Sequence, residues 1–435
     1  FFSHLNKKNL ILGFGQTGIS IAKYLHKLRI PFEVMESRKD LKGIQWLTEH
    51  GYKCTSEFNV DALEKISKVY VSPGISKNNP ILRQANFLNI ETETDIDIFL
   101  KLHSCTKILI TGTNGKTTVT SMSHKLFSHF LGKKRVEALG NIGNPVLDNI
   151  DEDIDIALIE VSSYQLELSS SISSDIAVLL NVTQDHLDRH SSLEEYKSIK
   201  NKVFIQSKLA IREGQSSSST EKCIYFQEIF KDYDYCFDDL KYEWPLHDVE
   251  NIKATISILF AYLVLNEEIN FYDKPQRESF IKDCLRILNS YQRLPHRYEI
   301  LDLKDGVTFI NDSKATNVAS VLKALESVYD KYGEGKAILI CGGDSKGQDF
   351  QELTNIPEKL LKKAYIFGIH KDLIAPFLIN TDVELVEDMK EAMKRISLDV
   401  VTGDVVILSP ACSSTDMYKN YEERGEEFRS LVGSI

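Results

Sequence analysis

The fold of this chain is decided by the stretch Lys107-Ile108-Leu109-Ile110-Thr111-Gly112-Thr113-Asn114-Gly115-Lys116-Thr117-Thr118. An apolar run leads into a glycine-rich turn that carries a lysine, and a helix is expected to follow. Glycines let backbone N–H groups surround phosphate oxygens, Lys116 offers a cation to the β- and γ-phosphates, and the Thr117 hydroxyl can reach a magnesium ion. The sequence therefore predicts a strand, a loop and a helix that bind a nucleoside triphosphate.

The spacing of this loop departs from the general phosphate-binding loop. The general pattern would place a glycine at position 110, where this chain has Ile110. The loop is therefore a shortened variant. An ordinary glycine turn is the alternative interpretation, and the combination of strand, loop and helix argues against it.

The composition is typical of a globular protein with two or three domains. The 435 residues are 42% hydrophobic and 26% charged, and no apolar run approaches the roughly 20 residues of a membrane span. The formal net charge of -11 is spread along the chain, which argues against binding to nucleic acid. Seven cysteines at irregular spacings indicate neither a disulfide framework nor a zinc site. We expect a cytoplasmic protein without membrane association.

Strands that end in glycine alternate with amphipathic helices in three successive blocks. This alternation predicts parallel α/β layers. An acidic segment from Thr94 to Leu102 precedes the phosphate-loop strand, and Pro295 interrupts a helical run near residues 292–297. We therefore place the domain boundaries to give domains 1–95, 96–296 and 297–435.

The first block carries a second glycine-rich turn. The run Gly13-Phe14-Gly15-Gln16-Thr17-Gly18 follows a strand at 10–12, and Glu36 ends the next strand at 32–35. This is the dinucleotide fingerprint, yet the same geometry holds any diphosphate at a helix N-terminus. A nicotinamide cofactor, a nucleoside-diphosphate substrate and a purely structural turn all stay open. Ser72-Pro73-Gly74-Ile75 follows the strand at 68–71 and is expected at the same sheet edge, as a ligand loop.

The middle block places two candidate metal ligands after successive strands. Glu160 follows the apolar strand at 156–159, and His186 follows the strand at 176–180. Because the carboxyl ends of parallel strands meet at one edge of a sheet, the pair predicts a magnesium site there. Taken singly, the glutamate could be a solvated cap and the histidine a satisfied polar residue.

The next helix starts with the capping signal Ser192-Leu193-Glu194-Glu195 and carries Lys200. Its apolar stripe includes Tyr196 and Ile199, and Lys200 lies near the edge of that stripe. Periodicity alone predicts a surface lysine that keeps its ammonium group in water.

Seven motifs in order along nearly the whole chain resemble the Mur ligases, which are ATP-dependent amino-acid ligases of peptidoglycan precursor synthesis. The motifs are Thr111 to Thr117, Asn141-Ile142-Gly143, Glu160 to Leu166, Asn181 to His186, Leu294 to Arg297, Asn311 to Asn317, and Leu408 to Cys412. Two further runs, Gly342 to Lys346 and Asp416 to Gly425, resemble the D-glutamate-adding branch. The resemblance implies an α/β protein of three domains: an N-terminal Rossmann-like UDP-binding domain, a central P-loop-type mononucleotide-binding domain with a parallel sheet, and a C-terminal Rossmann-like domain.

The resemblance also implies the reaction and its ligands. The carboxylate of UDP-N-acetylmuramoyl-L-alanine would become an acyl phosphate and then accept the amine of D-glutamate. One Mg2+ would bind Thr117 and Glu160, and a second would bind His186 and Lys200, with Lys200 carbamylated by CO2 into an oxygen donor. Catalytic roles would fall on Lys116, Asn141, Glu160, His186 and Lys200. ATP would contact Gly112, Asn114, Gly115, Lys116, Thr117, Thr118, Asn251, Arg297 and Asp312.

Substrate contacts are implied in the two outer domains, and a monomer is expected. The UDP-sugar would bind Gln16, Thr17, Glu36, Ser37, Arg38, Ser72, Pro73 and Gly74. D-glutamate would bind Lys314, Thr316, Lys346, Ser414, Thr415 and Tyr421. The chain departs from the family pattern at Glu36, where Asp is more usual, at Asp248, where the family has Asn, and at Tyr421, where Phe is common.

Three rival functions stay open from the sequence. Another ligase of the family, such as a folylpolyglutamate synthase or a diaminopimelate- or lysine-adding enzyme, would share the phosphate loop but not predict Lys346 with the segment from Ser414 to Tyr421. A dehydrogenase would use the first glycine turn for nicotinamide. A regulator without catalysis would bind ATP and leave Glu160, His186 and Lys200 without a purpose.

Overall fold

The computed structural model describes residues 7–38, 43–57, 60–187, 189–213, 223–238, 240, 244–268, 273–304, 306–357 and 359–434. These residues form three α/β units in chain order, each built on one sheet whose strands are mostly parallel. The predicted fold class is confirmed. None of the helices within these ranges is both long and apolar enough to cross a membrane.

The N-terminal unit is a parallel sheet with the strand order β3-β2-β1-β4-β5. Its strands are β1 (Lys8–Leu12), β2 (Phe32–Met35), β3 (Cys54–Thr55), β4 (Ile66–Val71) and β5 (Glu91–Glu93), and its helices are α1 (Gln16–Lys27), α2 (Ile44–Glu49), α3 (Pro80–Phe87) and α4 (Asp95–Leu102). The glycine turn lies between β1 and α1, as predicted. A Cβ at Gly18 would lie 2.2 Å from the Gly13 carbonyl oxygen, so only glycine allows α1 to pack this closely on the turn.

The central unit has the strand order β11-β10-β9-β6-β8-β7, and every neighbouring pair is parallel. Its strands are β6 (Thr106–Thr111), β7 (Val136–Gly140), β8 (Ile156–Glu160), β9 (Ser174–Leu179), β10 (Ser207–Arg212) and β11 (Cys223–Tyr225). Its helices are α5 (Lys116–Phe130), α6 (Ser163–Leu168), α7 (Leu193–Asn201), α8 (Phe226–Phe230), α9 (Leu246–Leu265) and α10 (Lys274–Leu288). Since β8 and β9 flank β6, the phosphate loop after β6 lies between the ends of the strands that lead to Glu160 and His186.

The central core explains why the phosphate loop is held firmly. Helices α5 and α9 pack against each other through buried side chains that include Val119, Met122 and Ile256. The apolar face of α5 thus anchors the helix whose first residue is Lys116.

The C-terminal unit has the strand order β12-β13-β17-β14-β15-β16, with β12 antiparallel to β13 and the other pairs parallel. Its strands are β12 (Glu299–Lys304), β13 (Val307–Asn311), β14 (Ala337–Gly342), β15 (Leu361–Phe367), β16 (Asp382–Leu385) and β17 (Val405–Leu408), and its helices are α11 (Val318–Tyr332), α12 (Lys371–Ile374), α13 (Met389–Asp399) and α14 (Tyr421–Ser434). Asn311 pairs with Leu408 in register, so the segments that follow β13 and β17 meet at one sheet edge.

The central unit contacts both of its neighbours. One buried apolar cluster joins Ile21 and Leu25 of α1 to Val146 and Leu147 of the central unit. On the other side, the amides of Asn114 and Asn317 exchange hydrogen bonds of 3.1 and 3.3 Å. The division at residues 95/96 and 296/297 stays a prediction.

Candidate active site

The phosphate loop is fixed to the end of β9. The Asn114 N–H donates to Asn181 Oδ1 at 2.9 Å, and Asn181 Nδ2 donates back to the Asn114 carbonyl at 3.1 Å. Lys116 lies across its own loop, with Nζ donating to the carbonyls of Gly112 and Thr113 at 2.8 Å each. Burial lowers the pKa of Lys116.

Thr117 and Thr118 occupy the first turn of α5, where N–H groups have no partners within the helix. Gly115 precedes this turn with a φ of +84°, a conformation in which side chains are strained. The loop, its lysine and the start of α5 therefore lie together, and their role as an anion cradle stays a prediction.

Asn251 of α9 lies directly against this loop. A Cβ at Gly115 would come within 2.4 Å of Asn251 Oδ1, so a side chain cannot be accommodated there without a shift. Asn251 Nδ2 donates to Asp248 Oδ1 at 3.3 Å, and Arg293 Nε donates to Asp248 Oδ2 at 3.1 Å. The carboxylate of Asp248 is thus paired with the Arg293 cation.

Lys200 is buried beside the phosphate loop, with 1% of its surface exposed. Its Nζ donates to the Gly112 carbonyl at 2.8 Å, the same oxygen that accepts from Lys116, and lies 4.7 Å from the centre of the Tyr196 ring. Burial and then the neighbouring Lys116 cation hold the pKa of Lys200 well below its usual value. The prediction from periodicity that Lys200 lies on the surface is therefore wrong.

Glu160 ends β8 and is also buried, with 1% of its surface exposed. Asn141 Nδ2 donates to its Oε1 at 2.9 Å, while its Oε2 is buried and has no hydrogen-bond partner among the residues that the structure describes. An unpaired buried carboxylate oxygen is costly unless a cation or donor binds it. Asn141 thus orients Glu160, whose second oxygen is left open to a cation or donor.

His186 lies after β9 with a φ of +54°. Its Nδ1 is 3.0 Å from the Tyr164 hydroxyl. Its backbone N–H donates to Asp185 Oδ1 at 2.8 Å. The Asp185 charge acts on both Lys116 and Lys200. The histidine therefore belongs to the same edge of the sheet as the two lysines.

The donor set at this edge fits Mg2+ only in combination with phosphate oxygens. In the described part of the chain, no three His, Cys, Asp or Glu side chains form a ready metal site. The proposed set contains one glutamate and one histidine, with Thr117 and Lys200. Magnesium usually keeps water and binds one or two carboxylates plus substrate phosphates, which agrees with the open acceptor of Glu160.

The C-terminal unit adds positive charge from across the cleft. Burial, with help from the Arg297 and Lys116 cations, lowers the pKa of Lys314 to about 8. Its Nζ lies 3.9 Å from the centre of the Tyr421 ring, a favourable cation–π contact. Asp312 accepts from the Tyr298 N–H at 3.0 Å and from the Ser409 hydroxyl at 3.1 Å. Burial raises the pKa of Asp312 to about 7.

The other predicted D-glutamate residues lie on neighbouring loops. Asp344 and Ser413 exchange backbone hydrogen bonds of 3.0 and 2.9 Å, which brings the Lys346 loop beside the segment that contains Ser414 and Thr415. Ser414 is buried and Thr415 is exposed. Lys346 has a φ of +47° and donates its N–H to Asp344 Oδ1.

Thr316 follows Ala315, whose carbonyl accepts from the Ala411 N–H at 2.9 Å. The loops after β13, β14 and β17 therefore converge at one edge of the C-terminal sheet. This is the edge that carries all six predicted D-glutamate residues.

The predicted UDP-sugar residues gather at the carboxyl edge of the N-terminal sheet. Gln16 and Thr17 begin α1, and the buried Ser72 hydroxyl donates to the Gly13 carbonyl at 2.7 Å, with Pro73 and Gly74 following it. Ser37 and Arg38 are exposed after β2.

The Glu36 carboxylate, predicted to contact the UDP-sugar, already accepts hydrogen bonds from its own unit. Arg38 donates to both oxygens of Glu36 through Nε at 3.0 Å and Nη2 at 2.8 Å, and the Phe14 N–H donates to Oε2 at 2.8 Å. The hydrogen bonds from the Arg38 side chain, above all, lower the pKa of Glu36 to about 2. Glu36 therefore stays ionised and orients Arg38.

Several residues at the site were not singled out as ligands from the sequence. Asp185 accepts from Asn317 Nδ2 at 3.2 Å, so it helps to join the central and C-terminal units. Arg424 is fully buried on α14 and donates to the carbonyls of Ser313 and Cys412. Both lie within runs that resembled the family, which was the available signal.

Each of the three units matches a separate protein-family model. The model of the Mur ligase MurD-like N-terminal domain matches residues 7–93, that of the Mur ligase middle domain matches 110–216, and that of the Mur ligase glutamate ligase domain matches 296–412. The UDP-N-acetylmuramoylalanine–D-glutamate ligase of Buchnera aphidicola subsp. Acyrthosiphon pisum (strain Tuc7) is 34% identical over 100% of this chain and 99% of its own length. The chain belongs to the Mur ligases.

Other relatives agree with this Mur ligase assignment. The UDP-N-acetylmuramoylalanine–D-glutamate ligase of Haemophilus influenzae (strain ATCC 51907 / DSM 11121 / KW20 / Rd) is 31% identical over 99% of both chains. Among solved structures, the MurF ligase from Thermotoga maritima in complex with ADP has a TM-score of 0.56 at 17% identity and covers 99% of this chain and 97% of its own. That structural likeness supports the Mur ligase fold, and the family predicted from the motifs is confirmed.

Proposed function

We propose that this Mur ligase joins D-glutamate to UDP-N-acetylmuramoyl-L-alanine with ATP, through an acyl phosphate. The observation that carries this proposal is the convergence, at one edge of the central sheet, of the phosphate loop, Lys116, Lys200 and the open acceptor of Glu160. Full-length relatives named for this activity support the choice of substrates.

The nucleotide residues act mainly by charge and position. Backbone N–H groups from Gly112 to Thr118 cradle the phosphates, and Lys116 leaves its loop carbonyls to contact the β- and γ-phosphates. Asn251 and Arg297 contact the nucleotide from either side of the cleft, and Asp312 binds its ribose or the loop that holds it. Asn141 orients Glu160 next to the reacting phosphate.

Two magnesium ions are part of the proposal. Thr117 and Glu160 would hold one, and His186 with carbamylated Lys200 the other. Bound Mg2+ neutralises phosphate charge during phosphoryl transfer. Carbamylation needs an uncharged amine, and the lowered pKa of Lys200 favours one. It also replaces one of two crowded cations by an anion, which removes the repulsion between Lys200 and Lys116.

The two chemical steps place different demands on the residues. In the first step a carboxylate oxygen of the L-alanyl group attacks the γ-phosphorus and ADP leaves, so Lys116 stabilises charge that moves onto the leaving phosphates. In the second step the uncharged amine of D-glutamate attacks the acyl carbon, loses a proton and displaces phosphate. Lys314 and Lys346 hold the two carboxylates of D-glutamate, since two cations match a dianion.

The remaining substrate contacts come from residues at the edges of the two outer sheets. Thr316, Ser414, Thr415 and Tyr421 complete the D-glutamate site, and Gln16, Thr17, Glu36, Ser37, Arg38 and Ser72 to Gly74 bind the UDP-sugar. We further propose a monomer that works in the cytoplasm, with domains at 1–95, 96–296 and 297–435. No contact with nucleic acid or membrane is part of this function.

Phosphate release tests the proposal directly. With ATP, Mg2+ and UDP-N-acetylmuramoyl-L-alanine, we expect release only when D-glutamate is added, and not with L-glutamate, L-lysine or no amino acid. Release with another amino acid would keep the ligase chemistry and change the substrate. Tight ATP binding without any release would contradict catalysis and favour a regulator.

A further inference from the structure

Arg189 of the central unit binds three consecutive backbone carbonyls of the N-terminal unit. Its Nη2 donates to the Ile75 carbonyl at 2.5 Å and to the Pro73 carbonyl at 3.4 Å, and its Nη1 donates to the Gly74 carbonyl at 3.3 Å. These residues belong to the loop after β4, which is proposed to contact the UDP-sugar. The Arg189 side chain is only 11% exposed, so the contact is largely shielded from water.

A buried carboxylate fixes the plane of this guanidinium. Glu167 of α6 accepts from Arg189 Nε at 2.8 Å and Nη2 at 2.6 Å, and its own side chain is 2% exposed. A charge-assisted pair of this kind is strong and directional. The pair with Glu167 fixes the orientation of the guanidinium, so that Nη1 and Nη2 also reach the carbonyls of residues 73–75 in the N-terminal unit.

Arg189 is also joined to the proposed metal ligand His186. Its guanidinium carbon lies 4.7 Å from the centre of the Tyr164 ring, and the Tyr164 hydroxyl is 3.0 Å from His186 Nδ1. In the backbone, the Arg189 N–H donates to the His186 carbonyl at 3.0 Å. One residue thus contacts the UDP-sugar loop, the ring that orients His186 and the turn that carries His186.

We propose that Arg189 is a positioning residue that holds the loop at residues 73–75 in a fixed relation to His186. Through this contact, Arg189 would keep the carboxylate of the UDP-sugar substrate aligned with the phosphoryl-transfer site. The expected effect on ligase kinetics rests on the proposed function. The expected effect on the loop at residues 73–75 rests only on the observed contacts.

The kinetic test compares Arg189→Ala and Arg189→Lys with the parent protein. We expect Arg189→Ala to raise the KM for UDP-N-acetylmuramoyl-L-alanine about tenfold or more and to lower kcat, while the Kd of ADP changes less than about twofold. Arg189→Lys keeps the charge but not the planar fork, so it should stay impaired. Activity of Arg189→Lys equal to that of the parent would overturn the proposal.

Lys27→Ala is the matched control, because Lys27 forms an exposed ion pair with Asp151 across the same two units. It should leave the KM for UDP-N-acetylmuramoyl-L-alanine and kcat unchanged. An equal effect of Lys27→Ala and Arg189→Ala would show that general loosening of the interface is responsible, which would contradict a specific role for Arg189.

Hydrogen exchange tests the coupling without any turnover. In Arg189→Ala we expect faster exchange in peptides that span residues 72–79 and 182–187, with the strands of the central sheet unchanged. Unchanged exchange in both segments would overturn the proposal even in an active enzyme. If the parent protein showed no ligase activity, the proposed function would fail while this measurement still decided whether Arg189 holds the loop.

Discussion

At the scale of single residues, burial changes the chemistry of groups that look ordinary in the sequence. Lys200 lies near the edge of an apolar stripe, yet it is buried and shares the Gly112 carbonyl with Lys116. Burial is the main reason why its pKa lies well below that of a surface lysine.

For this reason we expect Lys200→Ala to lose at least about 99% of activity, since one oxygen ligand of the proposed second Mg2+ would be missing. A short carboxylic acid that fits the vacated space should restore part of the activity. Steady-state phosphate release measures both effects. Lys197→Ala, on the exposed face of the same helix, is the control and should be fully active. Undiminished activity of Lys200→Ala would exclude the carbamate role.

Asp95 provides a residue-scale prediction about stability. Burial raises the pKa of Asp95 to about 7, and its Oδ1 has no hydrogen-bond partner among the described residues. A carboxyl whose pKa is raised on folding stabilises the protein below its unfolded pKa, and this contribution is lost as pH rises through about 7. Asp95→Asn should therefore raise the free energy of unfolding at pH 8.5 by on the order of 1 kcal/mol more than at pH 5.5.

Urea unfolding at the two pH values measures this difference. The exposed Asp153 supplies the control, and Asp153→Asn should show no such pH dependence. Equal effects of Asp95→Asn at both pH values would mean that Asp95 is not protonated in the folded protein near neutral pH.

At the scale of elements, the phosphate loop depends on backbone shape as much as on side chains. Gly115 combines a φ of +84° with a close approach to Asn251, whereas Gly51 has a φ of +72° and open space around it. Gly115→Ala should therefore distort the loop and weaken ADP binding at least about tenfold, while Gly51→Ala should cost only about 1 kcal/mol of stability. Calorimetric titration with ADP distinguishes the two. Normal ADP binding by Gly115→Ala would contradict the cradle.

At the scale of the whole molecule, three units must bring their ligands to one cleft. The central and C-terminal units already touch through Asn114, Asn317 and Asp185. The Lys116 cation also lies close enough to lower the pKa of Lys314. Two like charges across a cleft favour opening until an anion binds between them.

We therefore expect nucleotide and UDP-sugar together to compact the protein. Small-angle X-ray scattering should show a smaller radius of gyration with both ligands than with either one or none. An unchanged radius in all four samples would mean that the domains do not close on binding.

The outline of this protein could be predicted because its signals are local. The strand that precedes Gly112 to Lys116 and the repeated glycine turns act through backbone sterics and periodicity, which neighbouring residues determine. Pro295, in contrast, was expected to interrupt a helical run, and it lies in the non-helical segment between the helix Lys274–Leu288 and the strand Glu299–Lys304. The strand at 32–35 was predicted in place, and the family followed from motifs in order, while phosphate binding by the loop stays a prediction. Strand β9 spans Ser174–Leu179 rather than 176–180, because strand ends depend on pairing with neighbours.

What the sequence by itself determined is therefore the α/β class, the phosphate loop and the order of the motifs. Only the tertiary structure decided that Lys200 is buried, that Glu36 orients Arg38, and that Arg189 spans from His186 to the loop at 73–75. The physical reason is that burial, charge coupling and contacts between domains join residues far apart in the chain, and no local pattern of residues encodes those distances.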